Sequence, residues 1–451
     1  MSASQRLIDH ALQLRWADIP KPSRDAAETF LLDTLAVGSG GRNAAHADTV
    51  LKMVEGWGIC GRASVLGRPG IGLPAPSAAF LNAFQIHGQE YDCVHDAAVL
   101  HPLATVLAAL LAEIECGAPV GGEALLTAIV AGVDVAVTLG VAAGPLSFFR
   151  PATAGIFGSV AAIANLRALP RQTALDAFGH ALAFASGTMQ AHVEGKPALP
   201  VQVANAARNA LVAVDLARGG MAGVAQPIEG PFGYFALLEK DGDIDAALDL
   251  MPPGHHIVAV SCKPFPTGRA GHGGIVAVQR LLAEHGVNAD NLDAIEYHAP
   301  PLIHRLVGRP AFAGMEPGYA RLCMQWLVAI TLTRSTVGLG DFSAEALRDP
   351  ALLALAAKVR VIADSNPDSA AFVPARAVAR LSDGRSVEVA MVAQLGSPEW
   401  PFTPAQYREK ARACLAFAGL ADCADRLFDA VAAITTAPDA AAAIRTTGIM
   451  G

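Results

Sequence analysis

The sequence predicts a mainly α fold: a large all-α domain formed by both chain ends, residues 1–264 and 402–451, with a smaller α+β lid domain, 265–401, inserted between them. Three observations predict it. Segments between 77 and 218 are rich in Ala, Leu and Val, with the lengths and breaks of helices. Beyond about residue 290 the period changes to the alternation of strands. A helical pattern resumes at 404–418 and 421–435. At 451 residues, two domains are the simplest expectation.

In chain order, 4–17 and 23–38 read as two helices separated by Pro20 and Pro22. Ser23 is a candidate N-cap, and the glycines of 38–41 end the second helix. Residues 46–57 continue the helical pattern; 58–76, rich in Gly and Pro, is loop with a short strand at 63–66. The segments 77–87, 102–116, 122–142, 153–168, 172–186 and 202–218 follow as helices. Of these, 122–142 is apolar nearly all round, which suits the centre of a bundle. Residues 220–233 are loop, and FGYFALLE starts a short helix. In the α+β part, 294–298 and 358–363 are strand candidates. Residues 375–392 form a hairpin across Asp383-Gly384, a pair suited to a type I′ turn. Helical segments at 270–286, 319–333 and 343–356 accompany the strands.

Hydrophobic residues make up 53% of the chain and charged ones 16%. A large core is therefore available, and so few charges poorly cover a monomer, which points to an oligomer. A net charge of −8 without a Lys/Arg run argues against a nucleic-acid partner. The seven cysteines contain no CxxC pair and point to free thiols in a reducing, cytoplasmic setting. Residues 1–20 are amphipathic, without the continuous apolar stretch of a signal peptide. The most apolar stretches, near 103–112 and 124–143, are interrupted by Glu113, Glu115 and Asp134, so core helices fit better than membrane spans.

Four stretches carry groups suited to chemistry. The first is 82–102, NAFQIHGQEYDCVHDAAVLHP, with His87, His95, His101, Glu90, Asp92 and Asp96 between two apolar helices. Histidine titrates near neutrality, and nearby carboxylates can orient it or act as the base themselves. An ordinary polar loop would use the same residue types, and His87, Asp92 and His101 would also serve a metal-dependent hydrolase, although the spacing matches no recognised zinc motif. The second is Glu194-Gly195-Lys196-Pro197, which holds a lysine on a short constrained turn. The third is SCKPFPTGRAGHGG, 261–274, with Lys263, Arg269 and His272 just before a helix; this suits an anionic group, or simply a solvated linker. The fourth is SFFRPATAG, 147–155, where the Arg150 guanidinium could pair with a carboxylate or cap a surface helix. No GxGxxG, GxSxG, HExxH, CxxC or GxxxxGK[ST] signature is present. Together the four suit acid/base chemistry on a small anionic substrate.

With these motifs the chain resembles the MmgE/PrpD family of 2-methylcitrate dehydratase, cis-aconitate decarboxylase and iminodisuccinate epimerase. The resemblance rests on FLLDTLAVGSGGR (30–42), HGQEYDCVHDAAVLHP (87–102), PATAGIFGSVAA (151–162), EGKPALPVQVANAARNA (194–210), IEGPFGYF (228–235) and KPFPTGRAGHGG (263–274). It implies a homodimer with no required metal or organic cofactor, no membrane partner, and an active site in a cleft between the domains. It also points to catalytic roles for His101, Glu90, Asp92, Lys196 and Lys263 and matches His95, while the reading of the four stretches adds His87, Arg150, Arg269 and His272 to His95 as expected substrate contacts. Three departures stand out: Cys93 within the acidic stretch, Arg150-Pro151 where relatives often have His-Pro, and Gln325-Trp326 where a tyrosine is common. The expected activity is that of a lyase on a small di- or tricarboxylate, with proton abstraction next to a carboxylate. Dehydration is the first choice; decarboxylation, epimerisation and non-catalytic carboxylate binding are the alternatives.

Overall fold

The computed structural model describes every residue except Pro145 and Ser369. The protein is mainly α-helical. Helices Ala75–His87, Pro102–Cys116, Gly122–Val141, Gly155–Leu166 and Ala198–Arg218 pack side by side as a bundle. Gly122–Val141 is long and apolar enough to cross a membrane by length and composition, yet 89% of its most apolar window is buried inside the fold. Its mid-helix acid, Asp134, is fully buried and answers two segments. Its Oδ2 lies 2.9 Å from His10 Nε2 and 2.7 Å from His255 Nδ1, and its Oδ1 accepts from the His256 N–H at 2.8 Å. Burial would raise this carboxyl, but the two histidines outweigh it and lower it to about 2.

Two local expectations are corrected. Ser23 is not an N-cap: the helix already begins as Lys21–Gly40, with Pro22 in its first turn. Proline is tolerated there because its missing N–H would have had no partner. The Ser23 hydroxyl instead donates to the Gly254 carbonyl at 2.5 Å. The predicted helix 153–168 runs as Gly155–Leu166, with Arg150–Thr153 a separate turn before it.

The strands after residue 290 form one four-stranded sheet, in the order Val359–Ala363, Leu292–Ala299, Ala375–Leu381, Ser386–Met391. The first pair is parallel and the others antiparallel. The turn at 382–385 is not type I′. Only Gly384 takes a positive φ, +87°, while Leu381 N–H donates to the Arg385 carbonyl across the turn at 2.9 Å. That is a three-residue loop with glycine at the left-handed position. Helices His272–His285 and Met324–Arg334 pack beside the sheet. The C-terminal helices Pro404–Phe417 and Ala424–Ala432 return to pack on Lys21–Gly40. All seven cysteines are free thiols.

Candidate active site

A two-residue ladder assembles the site. Val94–His95 pairs antiparallel with Val260–Ser261, which lays the acidic loop after helix Ala75–His87 along the stretch that carries Lys263 and Arg269. Glu90 sits in the left-handed region, φ +52°, so the chain turns both its carbonyl and its carboxylate towards one point. Lys263 Nζ fills that point, 3.1 Å from the carbonyl and 2.9 Å from Oε2, with no exposure of the lysine at all. Burial would raise Glu90, but Lys263 and then His87 hold it down at about 2. One residue past the Val94–His95 ladder, Asp96 accepts from Ser261 Oγ at 2.8 Å and from Arg269 Nε and Nη2, both at 3.1 Å.

Asp92 is completely buried between two histidines. Its Oδ2 lies 3.0 Å from His87 Nδ1 and 3.2 Å from His101 Nδ1, and the two rings meet edge to face with centroids 4.9 Å apart. Burial opposes the Asp92 charge, but the two histidines overcome it and hold the carboxyl well below the usual range. His87 and His101 are biased in opposite directions. For His87, burial is outweighed by Asp92 and Glu90, and its pKa rises. For His101, burial, helped by the Lys263 ammonium, outweighs Asp92 and keeps the ring neutral. His101 also stands at the N-cap of Pro102–Cys116, with Pro102 opening the helix, where the helix dipole disfavours a cation. Its Nδ1 is buried and off the line of a good hydrogen bond to Asp92. A lone pair there would face a carboxylate, so the proton belongs on Nδ1 and the lone pair on Nε2. The 12% of the side chain that is exposed therefore lies on the Nε2 edge.

That edge faces a small, partly open cavity of about 60 Å³. Glu90, His101, Arg150 and Arg269 line it, together with a largely apolar wall. A neighbouring cavity shares Glu90 and Leu322 and holds His87, Lys196 and Glu316. Lys196 is exposed there, one residue past Gly195, which closes the short helix Gln190–Glu194 at φ +64°. A side chain at 195 would meet Tyr319 at 2.6 Å, so glycine is required.

The other sequence-predicted residues are placed differently. Arg150 lines the cavity, but all its nitrogens are engaged: Nε with Glu239 at 3.1 Å, Nη1 with the Ala98 carbonyl at 3.4 Å, and Nη2 with the Gly144 carbonyl. His95 lies off the wall, accepting from Ala98 N–H at 3.2 Å; burial and neighbouring His256 lower it to about 4. His272 is fully buried behind the wall, between Arg269 Nη1 at 3.4 Å and the Thr267 carbonyl at 3.3 Å. Gln325 is spent on the Ala311 N–H and the Val359 carbonyl, each at 2.9 Å, and Trp326 is fully buried; neither lines the cavity.

One cavity residue escaped the sequence reading. His192, on Gln190–Glu194, lines the same cavity as His101. Burial and then Arg309 lower it to about 4, so it is neutral. Its Nδ1 faces Arg309 Nη2 at 3.5 Å and must accept, which leaves the proton on Nε2. Its sequence signal, a lone histidine four residues before Lys196, was easily passed over.

The comparisons agree along nearly the whole chain. The MmgE/PrpD N-terminal domain model matches residues 5–247, and the MmgE/PrpD C-terminal domain model matches 265–433. A "Cis-aconitate decarboxylase-like protein oryM" of Aspergillus oryzae is 27% identical over 439 residues, covering 91% of this chain and 90% of the relative. Mouse cis-aconitate decarboxylase is 24% identical over 358 residues, 74% and 70% of the two chains. Human cis-aconitate decarboxylase is 30% identical over 222 residues, 46% and 45% of the two. Two domain models in the family's order, spanning the stretches that bring Glu90, Asp92 and His101 beside Lys263, place this chain in the MmgE/PrpD family.

Proposed function

We propose that this protein is a cofactor-independent lyase that forms a carbanion beside a carboxylate, and that decarboxylation is its reaction. The observation that carries the reading is neutral His101, its Nε2 edge on the cavity and its Nδ1 beside fully buried Asp92. In a decarboxylation the C–C bond to a carboxylate breaks, CO2 leaves, and the electron pair spreads into the remaining unsaturated acid. A proton then returns to carbon. His192, which carries its proton on Nε2, is positioned to give that proton, and neutral His101 to take one up on its free Nε2, a contribution of about 10²–10⁴-fold for a well-placed group. The apolar wall supports the reading, because a compact carboxylate charge that disperses as CO2 departs gains from leaving water. The names of the relatives, cis-aconitate decarboxylase and its like, support it as well.

Dehydration is the second reading, and the two cavity histidines favour it. His101 with a free Nε2 lone pair would take the proton, while His192 with its Nε2–H would protonate the leaving hydroxyl. The test is an NMR panel in deuterated buffer with cis-aconitate, citrate, 2-methylcitrate, malate and iminodisuccinate. CO2 release with deuterium on the product carbon supports decarboxylation. Water loss without CO2 moves dehydration to first place. Silence across the panel, from folded protein, would favour a carboxylate-binding role without chemistry.

A further inference from the structure

Among the described residues, every buried carboxylate has a lysine or arginine partner except Asp92 and Asp134. Asp92 belongs to the candidate active site. Asp134 does not: neither it nor its histidines line the main cavity. A buried carboxylate without a cation is costly, yet only His10 and His255 answer Asp134 Oδ2, at 2.9 Å and 2.7 Å. The His256 N–H holds the other oxygen at 2.8 Å and so aims the carboxylate. His255 reaches it from φ +61°, a backbone region that glycine fills readily and other residues rarely. The two ring nitrogens and a carboxylate oxygen all lie within 4.8 Å of one another. Zinc bonds of about 2.0–2.2 Å separate tetrahedral ligand atoms by about 3.4 Å, inside that span.

From this geometry we infer that His10, Asp134 and His255 form a binding site for one divalent transition ion of the zinc class, apart from the lyase site. Two imidazoles and a carboxylate suit zinc and its neighbours rather than magnesium or calcium. Coordination uses the neutral imidazoles and the ionised carboxylate, so the ion meets one negative charge. The His10 side chain is 25% exposed, which leaves a way in and room for a water as fourth ligand. The similar trio His87, Asp92 and His101 is less suited, because the Lys263 ammonium acts on both of its histidines and repels a second cation. An ion at Asp134 ties the helix Ala3–Gln13 to the bundle helix Gly122–Val141 and to the segment that enters the Val260–Ser261 strand. Next in that segment, the His256 ring meets His95 edge to face, with centroids 5.8 Å apart.

The experiment takes the full chain without an affinity tag, stripped with a chelator, and titrates it with Zn²⁺ by calorimetry and with Co²⁺ by visible absorption. One ion per chain and the intense cobalt bands of a four- or five-coordinate site are expected. Zn²⁺ should also raise the melting temperature of the parent, because it binds the folded chain. His10→Gln removes a ligand at the exposed side and should weaken Zn²⁺ by more than the roughly 10–100-fold lost with an outer partner of a metal ligand. His255→Gly is the second variant, since glycine suits that backbone and keeps the fold. His101→Gln, at the other trio, should bind Zn²⁺ as the parent does. No saturable binding to the folded parent overturns the inference. Binding and thermal gain that survive in both His10→Gln and His255→Gly overturn it too. Binding lost in His101→Gln and kept in His10→Gln would move the ion to the main cavity and overturn the assignment.

Discussion

His101 and Arg150 line the same cavity, and the structure treats them in opposite ways. His101 is left neutral with one ring edge free, whereas Arg150 is locked to Glu239. Substituting His101 by Gln should lower turnover about 10²–10⁴-fold with little change in melting temperature. A residual rate within a few-fold of the parent would remove His101 from the mechanism. Because the base works in its neutral form and its pKa lies below the ordinary 6.5, kcat/KM should be flat through neutrality and fall only as the pH drops below that value. An acid limb centred above pH 7 would assign the base elsewhere. Arg150→Ala tests a different role. It leaves the Glu239 carboxylate buried without its partner, at a cost of about 3–5 kcal/mol. The expected signature is a large fall in melting temperature.

At the scale of elements, the loop between Ala75–His87 and Pro102–Cys116 is braced from behind by the C-terminal helix Pro404–Phe417. Lys410, fully buried, pairs with Asp33 Oδ1 at 2.8 Å and donates to the Tyr91 carbonyl at 2.9 Å, between Glu90 and Asp92. Its ammonium also lies over the Tyr91 ring, 4.3 Å from the centroid. Lys410→Met alone strands the Asp33 carboxylate and should destabilise by about 3–5 kcal/mol. Adding Asp33→Leu removes the stranded charge and should recover most of the melting temperature. Turnover should stay low in the double variant, because the Tyr91 carbonyl has lost its donor and the loop its position. Recovery of both together would show that the pair serves stability alone.

For the whole molecule, buried carboxylates set the acid limit. Glu90, Asp92 and Asp134 all have folded pKa values below their unfolded ones. Their stabilisation is complete above the unfolded values and is lost as pH falls through the folded ones. Acid unfolding followed by circular dichroism should therefore start near pH 4.5, the ordinary value for Glu90, and run towards 2. His87 works in the opposite sense: its raised pKa stabilises below 6.5, and that contribution fades as pH rises through the folded value. We also propose a homodimer, consistent with apolar side chains such as Phe232, Leu250 and Val392 standing about four-fifths exposed. Light scattering at twice the chain mass is the expected result.

The helices were legible from sequence because their apolar residues repeat in stretches long enough to show a period, and Pro102 at 102 and Gly122 at 122 mark starts that the structure keeps. The hairpin was legible for the same reason, although the turn type was not: Asp383 keeps a negative φ, which only the closing pair Leu381 and Arg385 decides. The acid/base stretch stood out because three histidines and three carboxylates in twenty-one residues are costly to bury in so apolar a chain. What the local sequence leaves open is which charges cancel. Lys263 meets Glu90 across 173 positions, and Arg150 meets Glu239 across 89. Coulomb energy depends on distance in space and on local burial, and neither is written in the order of residues. For that reason the sequence by itself determined the family, the helical plan and the proton-handling stretch. Only the tertiary structure decided that His101 is neutral, that Arg150 is already paired, and that His192 completes the cavity.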